Sequence, residues 1–71
     1  MFGLFKGVQY RAECSQIVME ITGLEKQVCI EYVEDHKALF DGIQKEGEEP
    51  SNAVLEVAAL VLLSIGADVR Q

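Results

Sequence analysis

The sequence predicts an all-α protein of three helices, at about residues 8–21, 23–44 and 52–66. Apolar residues recur at helical spacing in each segment. Glycine or proline stands between the segments, where a helix would end. We therefore expect a single helical domain at 8–71, preceded by an aromatic, apolar N-terminal arm at 1–7. We expect two copies to pair into a dimeric helical bundle.

The first helix is predicted from an apolar stripe that begins at Tyr10. The stripe has the spacing of one helix face and contains Tyr10, Cys14, Ile17, Val18 and Ile21. Gly23 stands just after it, where glycine commonly ends a helix. We expect this helix to bury the stripe.

The second helix begins, in this interpretation, at a capping box formed by Thr22 and Glu25. Its predicted apolar face contains Leu24, Val28, Tyr32, His36, Leu39 and Ile43. Residues 28–33 are also rich in strand-favouring side chains. No turn flanks them, so we favour the helix. Gly42 disfavours helix by about 1 kcal/mol relative to alanine, and the helix is expected to fray there.

The third helix is expected to start at Ser51 or Asn52, which are good N-cap residues, and to end at Gly66. Residues 53–65 contain only two polar side chains, Glu56 and Ser64. This stretch would be roughly 20 Å long, whereas a bilayer core needs about 30 Å. A buried helix is therefore a better interpretation than a membrane span.

Two amphipathic helices cannot enclose a third helix that is apolar almost all round. Another copy of the chain is the expected cover, because the two-fold dimer is the commonest oligomer. The predicted interface residues are Leu60, Leu63, Ala59, Val57, Phe2 and Phe5. The alternative is that the arm, with Phe2, Leu4 and Phe5, folds back over this helix of its own chain.

The length of 71 residues supports the need for a partner. A core in so short a chain supplies only about 3–5 kcal/mol, and most such chains need an additional source of stability. The N-terminus does not have the pattern of a secretion signal. We therefore expect a cytoplasmic protein, with reduced cysteines and no disulfide.

The formal net charge is −6. Residues 1–11 carry two basic and no acidic side chains, whereas residues 12–71 carry four basic and twelve acidic ones, a net charge of −8. Nucleic-acid binding depends on a basic surface, so we expect no nucleic-acid partner. The arm has one lysine and little area, so membrane docking through residues 1–7 is only an alternative.

The candidate metal ligands are Cys14, Cys29 and His36, with Glu31 as a fourth. Their spacing matches no established zinc motif, and buried cysteines commonly pack as small apolar residues. The sequence also lacks a nucleophile elbow, a phosphate loop and a calcium loop. We predict no catalytic residue, no enzyme activity and no cofactor.

The best interpretation of function is a small, non-enzymatic, homodimeric protein-interaction or adaptor module. Its partners would be itself and an unknown protein. The alternatives are a small metal- or thiol-binding protein using Cys14, Cys29 and His36, and a peripheral membrane protein docking through residues 1–7.

Overall fold

The structure is a computed structural model that describes the backbone of residues 2–69 and the side chains of residues 7–66. Four helices follow one another: α1 (Phe2–Thr22), α2 (Lys26–Asp35), α3 (Lys37–Lys45) and α4 (Pro50–Val69). The described part of the chain contains no strand. The all-α prediction is confirmed, but the predicted number of three helices is wrong, because the second predicted helix is two helices.

Helix α1 begins at Phe2, so the backbone of the predicted arm continues this helix. At its other end, Gly23 adopts a left-handed φ of 72°, and its N–H donates to the Met19 carbonyl at 2.8 Å. The predicted termination at Gly23 is therefore confirmed. Most of the predicted apolar stripe is at least partly buried, but Ile21 is 65% exposed.

The break between α2 and α3 lies at His36. In an uninterrupted helix the Tyr32 carbonyl would accept the His36 N–H. Instead the His36 ring Nδ1 donates to that oxygen at 2.8 Å, and the His36 N–H donates to the Val33 carbonyl at 3.2 Å. A carbonyl only accepts, so Nδ1 carries a proton. The imidazole thus competes with the backbone, and His36 takes φ −113° and ψ 27°.

The predicted capping box is wrong. Thr22 is the last residue of α1, and its hydroxyl donates to the Val18 carbonyl at 2.7 Å while accepting the Leu24 N–H at 3.2 Å. Helix α2 starts at Lys26, and Glu25 is its N-cap without a side-chain capping bond. Thr22 therefore shapes the linker between the helices and does not start α2.

The buried face of α2 and α3 also differs from the predicted one. The core receives Cys29, Val33, Phe40 and Ile43. Of the predicted face, Leu24, Val28 and Leu39 are exposed, and Tyr32 and His36 are partly buried. The two stripes lie side by side on the helix, and only Ile43 belongs to both.

Helix α4 begins at Pro50, slightly earlier than predicted. Proline is well suited to the first turn, where its missing N–H would have no helical partner. The Ala53 N–H donates to the Glu49 carbonyl at 3.0 Å. Tyr10 fixes the preceding loop, because its hydroxyl donates to the Glu48 carbonyl at 2.7 Å. Gly66 does not end the helix, which continues to Val69.

Candidate interaction surface

Helix α4 leaves a large apolar surface uncovered by its own chain. Its side chains Leu55, Leu60, Leu62, Leu63 and Ile65 are each between 47% and 70% exposed. Within the described residues, the helix contributes Ala53, Val54 and Val57 to the core, and the partly buried Val61 packs against it. Clustered exposure of this kind is typical of an interaction site, unlike single exposed leucines.

The predicted interface residues have different environments. Ala59, Leu60 and Leu63 are exposed. Val57 is fully buried in the core of its own chain. The side chains of Phe2 and Phe5 lie outside the described residues.

The exposure of α4 follows from its register against α1. The Cys14 thiol donates to the Pro50 carbonyl at 3.8 Å. Eight residues further along each helix, Thr22 and Ala58 both line one apolar groove, described below. The two helices therefore run in the same direction. Since α1 ends at Thr22, the residues of α4 after Ala58 continue past the end of α1, and of these Val61 still packs against the core. We call residues 59–66 the protruding half of α4.

An apolar groove of about 360 Å³ lies beside the start of this protruding half. Helix α1 forms its floor, and α2 and α4 form its two walls. No Cα atom of α2 comes within 8 Å of one of α4 in the described part of the chain, so the walls stay apart. Its main lining residues are Val18, Ile21, Val28, Tyr32, Val54 and Leu55.

The electrostatic environment distinguishes the groove from the other exposed face of α4. Among the side chains that the structure describes, no charged one lines the groove. By contrast, the exposed Glu56 stands three or four residues from Ala59 and Leu60, and so lies on their face of the helix. The groove can therefore receive an apolar group without burying a charge.

A second, more polar cleft of about 350 Å³ lies between α1 and α2 and contains Arg11. The Arg11 guanidinium donates to Glu34 at 3.1 Å and to Asp41 at 2.7 Å, and Lys37 donates to Asp41 at 2.8 Å. Arg11 thus links α1 to both helices on either side of the His36 break. Its donors are already used within the fold.

These ion pairs also change the pKa values of their members. Burial lowers the pKa of Arg11, but hydrogen bonds to Asp41 and Glu34 outweigh it, and the net shift is upward. The hydrogen bond from Lys37 lowers the pKa of Asp41, and Arg11 lowers it further against the opposing effect of burial. Both shifts favour the charged forms, which indicates a structural role for the cluster.

The candidate metal ligands are not brought together. Cys14 contacts the Pro50 carbonyl, whereas the Cys29 thiol donates to the Leu24 carbonyl at 3.9 Å. The His36 ring is hydrogen-bonded at the helix break. Among the described residues, no group of three or more histidine, cysteine or acidic side chains could hold a metal ion. Burial raises the pKa of Cys14 to about 11, which disfavours the reactive thiolate.

Sequence reasoning missed the groove itself. It placed Val28 and Tyr32 of the second helix towards the core, whereas Val28 is exposed and Tyr32 packs against the core and also lines the groove. It assigned no role to Leu55 or Leu62. The available signal was the pair of adjacent apolar stripes on residues 24–43, which is more than one core-facing side needs.

Comparison with known protein families, with curated proteins and with solved structures gives no match to this chain. Among the described residues, no helix has the length and apolar character needed to cross a membrane.

Proposed function

We propose that this protein is a small, non-enzymatic protein-interaction module that acts as a homodimer. The observation that carries this proposal is the uncovered apolar surface of α4, on which four leucines and an isoleucine reach solvent. Burying apolar surface releases about 25 cal/mol per Å², so a second chain that covers these side chains gains free energy. The same surface gives the module a means of binding other helical proteins.

The proposed location is the cytosol. Both cysteines are free and buried, and they lie on the core side of α1 and α2. A reducing compartment is compatible with such thiols and does not require them to pair.

The association state tests the proposal. Size-exclusion chromatography with light scattering should give twice the 7.9 kDa of one chain at tens of micromolar. The double substitution Leu60→Glu and Leu63→Glu should give a monomer, because dimerisation would then bury two charged side chains from each copy. Val8→Glu is the matched control, since Val8 is 59% exposed and lines the cleft between α1 and α2.

A dimer in the control and a monomer in the double variant would support the proposal. A wild-type chain that stays monomeric at these concentrations would contradict it. Circular dichroism at 222 nm should show equal helix content in all three proteins, because every substituted side chain is exposed.

A further inference from the structure

We propose that the apolar groove between α2 and α4 receives the protruding half of α4 from a second copy of the chain, and that the exchange is reciprocal about a two-fold axis. This inference rests on the proposed homodimer and names the surface that forms it. An antiparallel pair of α4 helices places residues 59–66 of each copy beside residues 54–58 of the other.

The surface area of the chain favours a second copy as the occupant. One chain exposes 5366 Å², whereas a folded monomer of 7.9 kDa exposes about 4,400 Å². The excess is about 1,000 Å², and a standard interface removes about 800 Å² from each partner. The radius of gyration agrees, at 12.6 Å against about 11 Å for a compact domain of this length. The exposed area of each chain therefore exceeds that of a compact monomer by about the area that one partner contributes to a standard interface.

The groove has room for part of the proposed occupant. On α2 it is lined by Val28, Cys29 and Tyr32, a rise of about 6 Å, and the linker residue Leu24 lengthens this wall at one end. The protruding half has eight residues and rises about 12 Å, so about half of it lies against α2. Ala58 and Ala59 stand at the point where the two α4 helices would cross, and small side chains there allow axes 8–10 Å apart, as in ordinary helix packing.

The chemistry of the two surfaces also matches. A two-fold interface brings the same surface of both copies together, so that surface has to be complementary to itself. The protruding half supplies the projection, with Leu62 at 68% and Leu63 at 70% exposure. The groove supplies the recess, walled by Val28 and Leu55. The groove of about 360 Å³ has room for a few of these side chains between α2 and α4.

Three variants test the groove by sedimentation equilibrium. Val28→Glu changes the α2 wall, and Leu62→Glu changes the protruding half; both side chains are exposed in the single chain, so neither change disrupts its core. Each should raise the dimer dissociation constant about 100-fold or more, because each substitution occurs twice per dimer. Leu39→Glu is the matched control on α3, at 39% exposure, and should leave the constant unchanged.

Mixing two monomeric variants tests the reciprocal exchange. Leu62→Glu mixed with Val28→Lys should recover a dimer, because one groove then pairs opposite charges and the other keeps both native side chains. A mixture that remains monomeric would overturn the exchange. If the Val28→Glu and Leu62→Glu variants both remain dimeric, the groove inference fails, although the proposed homodimer stands. A monomeric wild type would refute both.

Salt dependence distinguishes a second copy from a basic helical partner. Each chain carries a net charge of −6, and added salt screens the repulsion between two copies. Raising sodium chloride from about 50 mM to about 500 mM should lower the dimer dissociation constant several-fold. For an added basic amphipathic peptide, the same change should weaken binding. A dimer that weakens with salt, or a wild-type chain that takes up the peptide in the groove and does not self-associate, would overturn the proposal.

Discussion

Alkaline solution should unfold this protein through two buried groups, Cys14 and Tyr10. Burial, with a smaller contribution from Glu13, raises the pKa of Cys14 from 9.0 to about 11. Burial, followed by the charges of Cys14 and nearby acids, raises the pKa of Tyr10 from 10.0 to about 12. Both groups hold their protons more tightly in the folded chain. Their contribution to stability is therefore complete below pH 9 and is lost between about pH 9 and 12.

The magnitude follows from the size of these shifts. One pKa unit corresponds to about 1.4 kcal/mol. By pH 11 the loss is about 2 kcal/mol from Cys14 and about 1 kcal/mol from Tyr10. A core of this size supplies about 3–5 kcal/mol in total. The chain should therefore be close to its unfolding midpoint near pH 11.

Urea unfolding followed by circular dichroism at 222 nm checks this prediction at pH 8, 9, 10 and 11, at one low chain concentration. The Cys14→Ala variant is the control, because it lacks the thiol but keeps Tyr10. Its free energy of unfolding should start lower and fall by only about 0.4 kcal/mol from pH 8 to 10, against about 2 kcal/mol in the wild type. Equal losses in both proteins would refute the assignment to Cys14.

Three further predictions concern the stability of the single chain. Gly42→Ala should stabilise by about 0.5–1 kcal/mol in urea unfolding, because Gly42 is helical with open space around it, whereas Gly23→Ala should destabilise at its left-handed φ. Arg11→Met should cost about 1–2 kcal/mol, whereas Lys37→Met, an exposed member of the same cluster, should cost less than about 0.5 kcal/mol. Phe40→Ala should abolish the thermal transition, because removing a fully buried ring costs about 3–5 kcal/mol.

The helical segments and the end of α1 were predictable, because periodicity and a terminal glycine act locally. The break at His36 was not. Cys29, Val33, His36, Phe40 and Ile43 keep one helical spacing through it. The interruption depends on the hydrogen bond from the imidazole to the Tyr32 carbonyl, and the pattern of apolar residues does not indicate that bond.

The choice of buried face could not be read from the sequence either. Two apolar stripes lie side by side on α2, and packing against α1 decides that Cys29 and Val33 face the core while Val28 lines the groove. Similarly, the all-round apolarity of α4 predicted an uncovered surface. Its position depends on the register that places Ala58 beside the end of α1, and tertiary contacts set that register.

The most direct test of the central claim, that a second copy covers α4, is the molecular mass of the wild-type chain by sedimentation equilibrium between about 1 and 100 µM. Most interfaces that remove about 800 Å² from each partner are stable in this range. We predict a single species of twice the 7.9 kDa chain mass at the upper end. A mass of one chain throughout, with the fold intact by circular dichroism, would contradict the claim.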